Sequence, residues 1–525
     1  MMLPHSRLFD PACLRSLLDE FRTSMRRLLH DLCDELDGPS RRASIGLRLP
    51  IGYFRWVAVS LQPADYSHWR IVGWIEALND LVYLLDVRRQ LEHDPDVQGF
   101  AESFLAACEQ QFYEHGYLDE LFPRGMPDAC GLARRLNALC RTLATQATQE
   151  SLFLLPGAPC AWLQHTGRTH WSVQLDMEGD FERVEPAGWL AFGLDGAFLR
   201  PPGSIRMRLN ASRHATLQVS RTRMSLSGAG VRTIVWTSSR ERERSQWRVI
   251  PPVQVISTVQ HGSTSRAAKR IDFSHVTLGP TVVYGADRTP RTIVSSRVSL
   301  RPKMERAFQV LRTSWPEGAS NVSCLTTRII PLKATGVVSF SYRQRPGLSF
   351  LNCFDRDELD LVDDLVHENS HHHLNLLLRK AALIRGQHND ERFYSPWRRS
   401  LRPLRGILHA TFTFTMGAML FERLSGSDAL RSGDLLKARF RCLEEVDSVQ
   451  YSLHDLDVAA RSLDWLTKAG IALVASLRQE IRGVKKRISR YERQVLASSY
   501  GEALRRHRRG LRVARQTYGG GDRRG

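Results

Sequence analysis

The chain has 525 residues, 42% of them hydrophobic, enough for roughly two to four domains with at least one large buried core, which excludes a disordered protein. Its net charge of +19 suits nucleic acid, anionic membranes or acidic peptides, and equally the solvated helix faces of an arginine-rich chain, so a nucleic-acid partner is possible but not the first expectation. The nine cysteines are scattered without a CxxC pair, which argues against a zinc ribbon, an iron–sulfur cluster or a disulfide scaffold and fits a reducing, cytoplasmic setting.

The segment "MMLPHSRLFDPACLRSLLDEF" lacks a basic stretch followed by an apolar one, so no signal peptide is expected. From Phe9 to about Thr148, apolar residues recur every three or four positions, as in "DPACLRSLLDEFRTSMRRLLHDLCDEL" and "WIEALNDLVYLLDVRRQLE", predicting a helical N-terminal region over 1–148. Between 149 and 300 the character changes to short alternating runs punctuated by Gly, Pro, Ser and Thr. "SIRMRLNA", "ATLQVSR", "TIVWTSS" and "PTVVYG" read as strands of a sheet or small sandwich. Helical spacing returns in "KMERAFQVLRTSW", with Pro316 and Gly318 expected as a stop. "TRIIPLK" and "GVVSFSYRQRPGLSFLN" predict two or three strands with a turn at Pro346-Gly347.

One long helix is expected from Asp355 to about Arg385, with Asp355 or Asp357 as N-cap and acidic residues in its first turns. The run "GILHATFTFTMGAMLF" at 406–421 is too short and too polar to span a bilayer and reads as a buried core helix, so no membrane is expected as partner. The remainder is helical and basic, and no internal repeat is visible. The fold class is therefore α+β: a helical N-terminal region, a strand-rich region at 149–300, a metal-binding core at 301–430 and a helical basic region at 431–525, with a zincin-like, mainly helical C-terminal half.

Within the long helix, "HENSH" is an HExxH sequence. His367 and His371 lie about 40° apart round a helix and roughly 6 Å along it, so both imidazoles can reach one metal. His372 and His373 are rotated from His367 by about 140° and about 240°, outside that pair. Glu368 is positioned to reach a metal-bound water, and His372 is either its partner or a surface residue. Leu361, Leu365 and Leu376 are expected on one apolar face turned away from the pair. A third ligand is needed. Glu391, on the gluzincin pattern of a downstream glutamate, and His409, a histidine among apolar neighbours that needs a partner if buried, are the candidates; Leu377 stands where a metzincin would place its third histidine.

The segments "RAFQVLRTSWPEG", "RIIPLKATGVVSFSYRQRPGLSFLN", "LVDDLVHENSHHHLNLLL" and "RFYSPWRRSLRPLRGILHATFTF", in this order, resemble the bacterial HExxH motif-containing peptide-modification proteins, described as 2-oxoglutarate-dependent HExxH-type peptide β-hydroxylases. The resemblance covers about residues 300–425. It implies a mononuclear iron(II) enzyme that uses 2-oxoglutarate and O2 to hydroxylate a β-carbon in a ribosomally made precursor peptide. His409 then becomes the first choice of third ligand beside His367 and His371, with Glu391 second. Arg398 and Arg402 are the candidates for the fork that holds the distal carboxylate of 2-oxoglutarate, ahead of Arg399 and Arg405. The strand at 337–342 could hold an extended peptide by strand addition. Two other readings stand beside this one: a zinc metallopeptidase with Glu368 as general base, and a non-catalytic basic binding protein.

Overall fold

The structure, a computed structural model, describes residues 9–38, 50–93, 155, 158–176, segments between 190 and 294, and 300–519 except 334–338, 344, 387 and 389. Expected helix beyond residue 93 as far as 148, and the strand at 204–211, lie outside the described residues.

The chain opens with α1 (Pro11–Asp37), whose start is fixed by Pro11 and by the Asp10 carboxylate accepting from the Ala12 amide at 2.8 Å. Leu14, Leu18, Phe21, Met25 and Leu29 recur at helical spacing and are buried. Helices α2 (Ile51–Ser60) and α3 (Trp69–His93) complete the described helical part of the N-terminal region, α1 packing on both, and α4 (Ala158–His165) opens the region expected to be strand-rich.

The strand-rich region forms separate sheets. Strand β1 (His170–Asp176) heads an antiparallel sheet of order β1-β4-β5-β6, in which β2 (Leu190–Phe192) and β3 (Ala197–Arg200) do not take part. The other members are β4 (His214–Ser220), β5 (Arg223–Gly228) and β6 (Val231–Thr237), while β3 pairs with β2 on one side and with β7 (Arg248–Val249) on the other.

A second, mixed sheet supports the site. It begins with β8 (Val253–Gln254), β9 (Thr277–Leu278), β10 (Thr281–Tyr284) and β11 (Pro290–Val294). Helix α5 (Leu300–Ser314) follows, and Pro316 does more than stop it: a proline tolerated at a first helical position starts a new helix, α6 (Pro316–Leu325). Then come β12 (Arg328–Lys333), β13 (Phe340–Ser341) and β14 (Leu348–Leu351), giving the order β11-β10-β12-β14-β13. Strands β12 and β14 are parallel, whereas β13 returns antiparallel to β14 through a turn in which Gly347 has φ +82°. Of the strand expected at 337–342, Val337 and Val338 lie outside the described residues, and Phe340–Ser341 is the paired part.

Helix α7 (Glu358–Lys380) lies at the centre. The Asp357 carboxylate caps it by accepting from the Asp360 amide at 2.8 Å; Glu358 and Asp360 occupy its first turn and Arg379 and Lys380 its last, each matching the helix dipole. It ends at Lys380, five residues short of the expected limit. The expected single apolar face is also too narrow: Leu361, Leu365 and Leu376 are buried, but so are Val362, Val366 and Leu374, because α1, α5, α6, β14 and α8 (Leu404–Leu424) surround the helix. Between α7 and α8 the chain makes a small hairpin, β15 (Phe393–Ser395) and β16 (Ser400–Arg402), with Arg399 at φ 54°. Helices α9 (Ser432–Arg461), α10 (Lys468–Ile488), α11 (Glu492–Leu496) and α12 (Gly501–Tyr518) follow, α9 packing on α8, α10 and α12. One hydrophobic cluster extends from Phe9 to Leu504, across the expected regional boundaries. The structure is thus mixed α and β with a helical C-terminal half, and no helix among the described residues is long and apolar enough to cross a membrane.

Candidate metal centre

Helix α7 carries His367 and His371 one turn apart, and their Nε2 atoms lie 3.2 Å apart. Two nitrogens bound at about 2.1 Å to one metal, at an angle somewhat above 90°, would have about that separation. Their ring centroids are 4.9 Å apart. A carboxylate oxygen of the buried Glu368 completes a group in which all ligand atoms lie within 4.8 Å of one another, the one such cluster among the described residues.

His409 comes from α8, the uncharged helix expected from the sequence. That helix accommodates its threonines by local bonds: the Thr411 and Thr415 hydroxyls donate to the carbonyls of Ile407 and Thr411 at 2.7 and 2.6 Å. The His409 ring stands beside His371, with centroids 6.2 Å apart and planes 34° apart. His409 is not part of the His367–Glu368–His371 cluster, so its ring would have to move toward the pair to share one ion. Its Nε2 is buried and has no hydrogen-bond partner, the condition expected of a nitrogen reserved for a ligand. Glu391 is exposed, in the stretch before β15, and, like His409, is not part of the cluster.

The histidines are held neutral. Burial lowers the pKa of His367, opposed by the Asp363 carboxylate and assisted by the Arg398 and Arg441 guanidinium groups. Burial, with His367 and His409 nearby, takes His371 well below the usual value; burial, then Arg405 and Arg343, takes His409 to about 3. Neutral imidazole is the form that binds a metal, so no proton has to be displaced at pH 7.

The arginine expectations sort differently from the sequence order. Arg398 is exposed in the hairpin turn but lies near enough to influence His367. Arg402 is exposed on β16. Arg405, ranked second among the sequence candidates, and Arg343, not among them, are near enough to influence His409. Arg343 follows β13, a position that no local spacing connects to the motif. Its carbonyl accepts from Arg379 at 2.8 Å, and its side chain lines a cavity of about 270 Å³ with Glu76, Asp80 and Arg379.

The other two histidines have structural surroundings. His372 is neither on the surface nor turned to solvent: its Nε2 bonds with the Ser349 hydroxyl of β14 at 3.1 Å. His373 packs edge-on against Phe9 and Phe412, with centroids at 6.1 and 5.4 Å. On the side of α7 facing the sheet, Asn369 accepts from Thr326 at 3.1 Å, and Asp364 accepts from Ser339 at 2.7 Å.

Around His367 the structure adds residues the sequence did not single out. Phe414 meets its ring in a T-shaped contact at 5.1 Å and stacks on Trp397 at 4.2 Å. Trp397, from the "SPWR" stretch, donates through Nε1 to Glu445 at 2.8 Å. Comparison of the chain with protein-family models and with curated proteins finds no match in either.

Proposed function

We propose that the chain is a cytoplasmic non-haem iron(II), 2-oxoglutarate-dependent oxygenase that hydroxylates a β-carbon of a residue in a ribosomally synthesised precursor peptide, as its resemblance to the peptide β-hydroxylases implies. The observation that carries this reading is the position of His409, beside His371 with a buried, unpartnered Nε2, while Glu391 stays exposed. The donor set fits the metal: three neutral imidazoles suit iron as well as zinc. His367, His371 and His409 would hold it. Bound iron would supply the oxidation of the peptide, with O2 and 2-oxoglutarate as co-reactants and succinate and CO2 as products.

The chain's own residues do the rest. Arg405 or Arg343, on the His409 side, would take the distal carboxylate of 2-oxoglutarate by a charge-assisted fork, with Arg398 as the candidate on the His367 side. Trp397 and Phe414 wall the His367 side with stacked aromatic surface. Helix α7 packs beside β13, the antiparallel end strand of the mixed sheet among the described residues. In this reading that arrangement is zincin-like, and β13 receives the extended peptide by strand addition.

The test is succinate formation from 2-oxoglutarate by anaerobically purified, iron-loaded protein on admission of O2, with and without a candidate peptide. Oxygen-dependent succinate that rises with peptide supports the proposal. A zinc-loaded protein that cleaves casein-like substrates, with no oxygen-dependent turnover, would overturn it in favour of a metallopeptidase. One observation favours that second reading: the buried Glu368 carboxylate sits within 4.8 Å of both histidine nitrogens, where a general base would act on a metal-bound water.

A further inference from the structure

Six residues from four parts of the chain form a closed circuit that begins and ends on the helix carrying His367. Phe414 of α8 contacts the His367 ring at 5.1 Å and lies nearly parallel to Trp397, with an interplanar angle of 6°. Trp397 Nε1 donates to Glu445 Oε2 of α9 at 2.8 Å. Arg441, one turn earlier on α9, donates through Nη2 to Glu445 Oε1 at 3.4 Å and to Asp363 Oδ2 at 3.0 Å. Asp363 precedes His367 by four residues, on the same face of α7.

We propose that Asp363, Arg441, Glu445, Trp397 and Phe414 are positioning residues that fix the orientation of the His367 ring for a metal ion. The inference rests on the metal-centre reading above and adds to it the residues that hold one ligand in place. Glu445 has only 4% of its side chain exposed. A buried polar network contributes little to stability compared with apolar residues of the same volume, and its best-attested use is to specify one geometry. Here the geometry specified is local. The circuit locks the hairpin's Trp397 against Phe414, and Phe414 against the ring, while its other arm ties α9 to the turn of α7 just before that ring. Ligand histidines need such outer partners, and losing them typically weakens metal binding by about 10–100-fold. A circuit serving only to anchor the hairpin would change stability and leave the metal's surroundings as they were.

The experiment is an anaerobic Co(II) titration of the full chain, read by visible absorption, in the wild type and in Glu445→Gln, Glu445→Leu and Trp397→Phe, with far-UV circular dichroism and melting as controls. Trp397→Phe keeps the stack and loses the donor; Glu445→Gln keeps an acceptor for the indole. Expected are an affinity loss of about tenfold and altered visible bands in Trp397→Phe and Glu445→Leu, with both restored in Glu445→Gln. Wild-type affinity and bands in Trp397→Phe overturn the proposal whatever its melting temperature, and Trp397→Phe decides if Glu445→Leu does not fold. Equal losses in Glu445→Gln and Glu445→Leu also overturn it. A wild type that takes up no Co(II) removes the metal-centre reading itself, and the circuit's role with it.

Discussion

His367 and His371 differ from their neighbours His372 and His373 in surroundings rather than in chemistry. All four are kept neutral by burial, His372 to about 3 and His373 to about 4, so protonation state does not set the pairs apart. Convergence does. The Nε2 atoms of the first pair face each other at 3.2 Å, with Glu368 and His409 close by, whereas His372 is spent on Ser349 and His373 on two phenyl rings. One step along a helix turns a side chain by about 100°, enough to move a histidine from a ligand cluster into a packing role.

Breaking the converging pair should have the largest effect. His371→Ala is expected to weaken metal binding by well over about 100-fold, since even outer partners cost 10–100-fold, while His373→Ala retains wild-type affinity in the same anaerobic titration. The packing pair should show the converse in the metal-free protein. Phe412→Ala, which opens the pocket around His373, is expected to cost about 3–5 kcal/mol in urea unfolding, and His409→Ala about 1 kcal/mol or less.

A pH series sharpens the comparison further. His372 and His373 have folded pKa values below those of the unfolded chain, so between about pH 4 and 6.5 the unfolded state binds more protons and stability rises with pH. Glu445 works in the opposite direction: burial raises it to about 8, and its contribution is lost as pH rises from the unfolded carboxylate value through that point. His367, His371 and His409, also lowered by burial, act in the same direction as His372 and His373 in metal-free protein, and Asp364, raised to about 6, acts with Glu445. His372→Asn combined with His373→Leu is expected to reduce the slope of the acid limb in urea unfolding without abolishing it, and an unchanged slope would assign the titration elsewhere. The smallest expected effect concerns the cosubstrate: Arg405→Ala or Arg343→Ala should raise the KM for 2-oxoglutarate by about tenfold, and Arg402→Ala by much less, in the succinate assay.

What could be read from the sequence was what repeats locally. The N-cap, offered as Asp355 or Asp357 and found at Asp357, follows from residue type, and the His367–His371 pair and the uncharged helix at His409 follow from local pattern. Asp363 was within reach of the same rule, standing one turn before His367. The hairpin at 393–402 was missed because its three-residue strands are too short to show alternation. Glu445 was invisible for a different reason. Its meaning comes from Trp397, 48 residues away in sequence, and from Arg441's second bond to Asp363, 78 residues away. Arg343 likewise acts on His409 only in the folded chain, 66 residues away in sequence. The single apolar face expected for α7 was too narrow because neighbours cover the helix on most sides, leaving Asp363, His367 and His371 half-buried.

The third ligand decides between the two chemistries most directly. Iron retention after anaerobic loading and desalting should be lost in His409→Ala and preserved in Glu391→Ala. Loss of iron in Glu391→Ala alone would contradict the account and return the centre to the pattern of a peptidase.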